Sequence, residues 1–358
     1  MSGQKPGLQK HHFLLIVSLC LILLGSFFAS MIMTNWGRVK VSTVTFPTRD
    51  GQQVVADLYR PVTATRNSKA PLMIIIPGFQ RTRETMAHIS LEFARRGVVV
   101  IAFDPTSQGD SSSSAGGEGR SSAQIEAYGA VDLVDFVFSG VLSYIDLERV
   151  GVYGHSMGGN AAKYLAGQRP GKIRAGFISG YVLAMDAMNN VNSNFGMDYP
   201  FYDEGAFRNE DVGVANRADM RYAHESRVFV NSGGSFLSPG EPVEIGRIYG
   251  NPFDGTMRQV FNVPTIHAMQ PYSSRANTNM LLFFEVAFDI ETSSIADMWI
   301  DNNRHVWQIK ELFTTIALIG AFMFIVPFAA LLFKIPFFKT AKYDVPEPRE
   351  KRVWWERI

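Results

Sequence analysis

A chain of 358 residues with 34 basic and 33 acidic side chains has a formal net charge of +1, which gives no electrostatic footprint for nucleic acid. Its 46% hydrophobic content and 27 phenylalanines supply enough apolar surface for one large core and for membrane contact besides. The single cysteine, Cys20, excludes an internal disulfide and a cysteine-built metal site.

In chain order, the first element is an uncharged run from Phe13 to Met33, long enough to cross a hydrocarbon core at about 1.5 Å per residue. A cleaved signal peptide is the alternative, since Lys5 and Lys10 precede it. Its apolar region exceeds the ~15 residues usual for such a peptide and no small-x-small cleavage site follows, so it reads as an anchor. Val39–Phe46 and Gln53–Arg60 flank the turn signal Arg49-Asp50-Gly51 and read as an antiparallel hairpin. Leu72–Ile76 and Val98–Phe103 are continuous apolar runs, as expected of strands covered on both faces. Between them Met86, Ile89 and Phe93 share a helical face that should stop at Gly97. Ile125 to Leu142 reads as a helix, Val150–Tyr153 as a short strand, Ala161–Ala166 as part of a helix and Phe177–Tyr181 as a strand. Residues 182–255 show little periodicity; whether 205–255 form a lid is left open. The Ser/Gly run from Ser111 to Ser122 reads as a solvated connection.

The alternation predicts an α/β domain over residues 38–292. A second uncharged run, Leu312–Phe333, is the other candidate span, with Pro327 tolerated inside it. Lys334, Lys339, Lys342, Arg349, Lys351 and Arg352 crowd its far side, which puts residues 334–358 in the cytoplasm by the positive-inside rule. Two spans then return residues 1–12 to the cytoplasm and turn the domain outward, at a plasma membrane that is expected to be bacterial. The terminal Trp354-Trp355 pair fits either a membrane interface or a disordered basic tail. The abrupt ending leaves open a larger polytopic protein.

The chemistry starts at Gly154-His155-Ser156-Met157-Gly158. A strand, Val150–Tyr153, runs directly into this motif, and Gly158, Gly159, Ala161 and Ala162 open a helix after it. A serine in a sharp strand-to-helix turn exposes its Oγ, flanking glycines let the backbones approach, and the helix N-terminus lies beneath developing negative charge. An oxyanion hole needs two backbone N–H donors. Met157, directly after the nucleophile, is one; Phe79, in Pro77-Gly78-Phe79-Gln80 after the Leu72–Ile76 strand, is the other.

Ile76-Pro77-Gly78-Phe79, the stretch Glu92–Asp104, Gln108-Gly109-Asp110-Ser111 and Gly154–Gly159 come in an order and spacing that resemble the α/β-hydrolase superfamily. The likeness is greatest to its dienelactone-hydrolase-like and acyl-peptidase-like bacterial branches and covers about residues 40–290. It implies a mostly parallel central sheet with helices on both faces, flanked here by the two apolar helices. Where many members have His-Gly in the oxyanion loop this chain has Pro77-Gly78, a change that bears on substrate preference, because the backbone donor survives it.

In that fold the chain order is serine, acid, histidine. His267 fits the base, lying between the strand-like Gln259–Ile266 and the apolar helix Asn279–Phe288; His224 is the weaker candidate. Apolar residues alternate toward Asp203 from Phe195, which makes Asp203 the expected acid, with Glu204 and Asp254 as alternatives. Asp104 reads as structural, holding loop backbone. The acidic cluster Asp198, Asp203, Glu204, Glu210 and Asp211 fits no standard metal loop, so neither metal nor cofactor is expected. The residues thus predict a membrane-tethered serine hydrolase that cleaves an ester, thioester or amide of a small or lipid-like acyl substrate. The rival is a degenerate α/β-hydrolase module for binding or assembly, in which His267 or Asp203 lies well beyond hydrogen-bond reach of its partner. Acyl group, leaving group, oligomeric state and protein partners are not legible.

Overall fold

The computed structural model describes residues 6–49, 51–112, 127–181, 191–204 and 218–341. The expectations for the Ser113–Ser122 loop, for Glu210 and Asp211, and for residues 342–358 of the terminal basic tail lie outside them. The chain divides into two compact units, Met1–Met31 with Gln308–Ile358, and Ile32–Trp307.

In the first unit, helices α1 (Pro6–Met33) and α7 (Trp307–Leu332) contain segments long and apolar enough to cross a membrane, Lys10–Met33 and Trp307–Leu332. They approach closely through small residues. A Cβ on Gly25 would stand 2.7 Å from Ala317 N, and one on Gly320 2.9 Å from Ser18 O. Such small-residue contacts let helix backbones pack where lipid supplies no hydrophobic drive. Phe28 stacks on Phe313 beside them at 4.9 Å.

The second unit is built on a nine-stranded sheet of order β1-β2-β4-β3-β5-β6-β7-β9-β8. The hairpin β1 (Val39–Pro47) and β2 (Gln53–Pro61) is antiparallel. The centre, β4 (Val99–Phe103), β3 (Ala70–Ile76), β5 (Ile145–His155), β6 (Ala175–Ser179), β7 (Asn194–Pro200) and β9 (Arg258–Val263), is parallel throughout. The two-residue β8 (Ile248–Tyr249) closes the edge antiparallel to β9. Every residue of β3 and β4 is buried, because helices cover both faces of a parallel sheet. Helix α2 (Ala87–Ala94) and helix α6 (Ser274–Ala287) meet through Phe93 and Phe284, 5.5 Å apart. Helix α3 (Ala130–Phe138) packs with α4 (Met157–Gln168), and α5 (His224–Asn231) packs on β9.

Three expectations need correction. The helix expected from Ile125 to Leu142 starts only at Ala130, because Tyr128 and Gly129 take positive φ; a Cβ on Gly129 would press into Val54 at 2.7 Å. The strand ends at Val263 rather than Ile266, since Pro264 has no N–H for the ladder. The short strand before the serine is long, reaching from Ile145 to His155. The folded unit also runs past the expected domain to Trp307, for a reason that lies in α2 (below).

Candidate active site

The site sits at the carboxyl ends of β3, β5, β7 and β9, where loops from an open parallel sheet converge. Ser156 joins β5 to α4 with φ 56° and ψ −118°, a conformation a non-glycine residue adopts only when its surroundings over-determine it. Those surroundings are backbone. A Cβ on Gly154 would fall inside the van der Waals shell of Gly158 O, and one on Gly158 would overlap Ile76 O. Ser156 N–H donates to Ser179 O at 2.8 Å and tethers the turn to β6.

The expected oxyanion loop lies directly against this turn: a Cβ on Gly78 would touch Ser156 Cβ at 3.4 Å. Met157 is the first residue of α4, so its N–H has no helical acceptor and remains available to a ligand. Phe79, the other expected donor, follows Gly78 with its ring exposed. Gln108 shapes this loop, accepting from Gln80 N–H and donating to Gly78 O at 3.4 Å and Arg81 O at 3.3 Å. Asp104 is fully buried and takes the backbone N–H groups of Arg83 and Asp110 at 2.7 and 2.9 Å, together with the Arg83 guanidinium. Its carboxylate holds loop backbone, as expected from its place at the end of β4.

On the far side, Asp203 follows β7 and His267 follows β9. Asp203 Oδ2 lies 2.9 Å from His267 Nδ1, with the Asp203 side chain buried and the imidazole a quarter exposed. Glu204, the alternative acid, accepts the backbone N–H of His267 at 3.0 Å instead. Asp254 is bound up in its own turn by Thr256, and His224 opens α5. The pair stands beside the serine turn: the rings of His267 and His155 are 4.9 Å apart, and His155 Nε2 lies 3.2 Å from His267 O. No hydrogen bond joins the Ser156 hydroxyl to His267 among the described residues, and such bonds often tighten only when substrate is present. The fold is that of an α/β-hydrolase.

Comparison with known proteins agrees in part. Residues 28–180 match the family described as PETase, PET hydrolase-like, a different branch from those the residues suggested. Cutinase 2 of Thermobifida cellulosilytica is 34% identical over 105 residues, which cover 29% of this chain and 37% of that relative's length. Among solved structures, the α/β hydrolase GrgF from Penicillium sp. sh18 is 12% identical and covers 70% of this chain and 99% of its own, with a TM-score of 0.46. The Pyrococcus furiosus esterase Pf2001 is 12% identical and covers 69% and 90%, with a TM-score of 0.49. The fold rests on the strand order and the serine turn rather than on these likenesses.

Beneath this candidate site lies a buried polar layer that sequence reasoning left unassigned. Burial, with the neighbouring His267 and Arg81 adding to it, lowers His155 to about 3 and keeps its ring neutral. Asp198, fully buried on β7, accepts from Asn279 Nδ2 at 3.1 Å while its other oxygen has no partner. Burial pushes it up to about 7. Its main-chain oxygen accepts from Gln270 Nε2 at 2.8 Å, which ties the 3₁₀ turn His267–Tyr272 to β7. Nothing in the spacing of Gln108 or Gln270 announces these contacts, because each reaches across loops far apart in sequence. Among the described residues no three His, Cys, Asp or Glu side chains converge to hold a metal ion.

Proposed function

We propose that this protein is a membrane-tethered serine hydrolase that cleaves carboxylic esters through Ser156, His267 and Asp203. His267 Nε2 removes the proton from Ser156 Oγ as the oxygen attacks the ester carbonyl. The tetrahedral oxyanion takes the N–H groups of Met157 and Phe79, and the dipole of α4 adds positive potential beneath it. His267 returns the proton to the departing alcohol; water, activated by the same imidazole, then releases the acid. Asp203 fixes the tautomer in which Nδ1 carries the proton and stabilises the imidazolium while it exists. The observation that carries the reading is the Asp203–His267 pair at 2.9 Å standing beside the strained Ser156 turn. A degenerate module has no reason to keep that contact.

The ester preference draws on the cutinase and PET-hydrolase-like likeness and on the surface around the site. Phe79, Tyr202, Ile266 and Met269 are exposed apolar side chains flanking the oxyanion loop, the acid and the base. They would meet an apolar acyl or alcohol group. The two apolar helices support the tether, and the basic residues beyond the second support a hydrolase that faces outward from a bacterial plasma membrane. Hydrolysis of a soluble p-nitrophenyl ester by the full-length protein and by Ser156→Ala tests the chemistry: activity should vanish in the variant, and a wild-type rate would remove Ser156 from the role. A membrane-impermeant fluorophosphonate applied to intact cells tests the side; labelling only after lysis would reverse the orientation.

A further inference from the structure

Residues 300–307 follow the α/β core, and no step of the proposed reaction uses them. They are nonetheless bonded to α2 by a buried ionic cluster. Glu92 on α2 and Arg96 just past its C-terminus, both fully buried, pair at 2.7 Å. Arg96 donates onward to the main-chain oxygens of Ile300, Asp301 and Arg304 at 3.0, 2.9 and 3.2 Å, and Arg95 reaches Arg304 O at 2.7 Å. Glu92 Oε1 accepts the N–H groups of Val306 at 2.8 Å and Trp307 at 3.2 Å. Burial opposes the Glu92 charge, but the Val306 N–H and the two arginines outweigh it and hold the carboxyl below its usual range. Charges so deeply buried are tolerated only when their partners are fixed. The segment is therefore pinned.

What it pins is Trp307. The indole packs on His88 of α2 with ring centroids 5.4 Å apart, and its Nε1 makes no hydrogen bond, so it acts there by shape. His88 is buried, stacks on Tyr272 at 4.8 Å and places Nε2 2.6 Å from Pro271 O. Pro271 and Tyr272 end the same short 3₁₀ turn that His267 begins. We infer that His88 is a positioning residue for His267, and that Trp307, held by the Glu92–Arg96 cluster, fixes His88 in turn. The inference rests on the reading of Ser156 and His267 as nucleophile and base. The turn carries the base but neither oxyanion donor. Loosening it misplaces the imidazole, and a misplacement of about 1 Å costs on the order of a hundredfold in rate. The loss falls on kcat.

The test uses the full-length protein in detergent micelles with a soluble p-nitrophenyl ester. Wild type is compared with Ser156→Ala, His88→Ala, His88→Gln, Trp307→Ala and Trp307→Phe, with kcat, KM and Tm measured for each. His88→Ala and Trp307→Ala should lower kcat by roughly ten- to a hundredfold with KM changed less than about twofold. His88→Gln keeps a donor for Pro271 O and Trp307→Phe keeps a ring without losing a hydrogen bond, so both should recover most of kcat. A fall in Tm with kcat intact in His88→Ala and Trp307→Ala would overturn the inference, as would His88→Gln and Trp307→Phe as impaired as the alanine variants. Should His88→Ala not fold, Trp307→Ala and His88→Gln carry the same comparison. Undiminished activity in Ser156→Ala would instead sink the catalytic reading itself, and the two failures are distinguishable.

Discussion

The two halves of the site are held by different physics. The serine half is backbone against backbone: Gly154 meets Gly158, Gly158 meets Ile76 and Gly78 meets Ser156, with no room for a Cβ at Gly154 or Gly158. The acid–base half is side chain against backbone. Glu204 takes the N–H of His267, Gln270 holds Asp198 O, Arg81 holds Ala268 O at 3.1 Å and His88 lies on Pro271 O. Close backbone packing can be built from one residue type only, whereas a carbonyl can be met by many donors from many places. The first half is therefore brittle and the second adjustable.

That contrast can be broken or sharpened by experiment. The largest effect should come from Gly158→Ala, whose methyl overlaps Ile76 O in the tightest part of the turn. It should cost more than about 4 kcal/mol, enough to leave little folded protein, and a Tm near that of wild type would show that the turn can yield. Next is Asp203→Asn, which keeps the shape and loses the charge facing His267. A fall in kcat of about 10³-fold is expected with little change in KM. Glu204→Gln keeps an acceptor for the His267 N–H and should stay within about threefold of wild type; the reverse ranking would make Glu204 the acid. Gln270→Ala strands the buried Asp198 carbonyl and opens a small cavity, for a loss of about 2 kcal/mol in stability. A denaturant titration reads it directly.

A further effect is one of pH. Native Asp198 holds its proton up to about 7, whereas the unfolded chain releases it near 3.8. Between those values the native state binds more protons, so the Asp198 contribution to stability is present below about 3.8 and is lost as pH rises through about 7. Asp198→Asn removes that loss, so the Tm difference between the variant and wild type should grow from pH 4 to pH 8. A difference that stays constant would show that Asp198 does not titrate in this window. His155 works in the opposite sense. Its folded value near 3 against 6.5 unfolded gives stability that is present above 6.5 and lost as pH falls toward 3, so the two opposing slopes are best separated by the Asp198 variant.

What could be read from sequence follows the same division. The serine turn was legible because its glycines are dictated by sterics at fixed spacing, and the central strands because β3 and β4 are apolar without a break. Asp203 and His267 could be paired from the order of strands and loops, and they lie 2.9 Å apart. The contacts that hold the His267 turn could not, since Gln270 and His88 meet partners 72 and 183 residues away in the chain. The helix expected at Ile125 failed for a related reason: the break at Tyr128 and Gly129 answers to Val54 on a distant strand, which no local period encodes. The ionic cluster of Glu92 and Arg96 was invisible as well, because its main-chain partners lie from 204 to 215 residues away.

The most direct test of the account is the position of a covalent adduct. Full-length protein treated with a fluorophosphonate and digested should carry the phosphonyl mass on the peptide containing Ser156 and on no other. Labelling should be slower in Asp203→Asn, slower still in His267→Ala and absent in Ser156→Ala. An adduct on another residue, or labelling of Ser156 at the wild-type rate in His267→Ala, would contradict it.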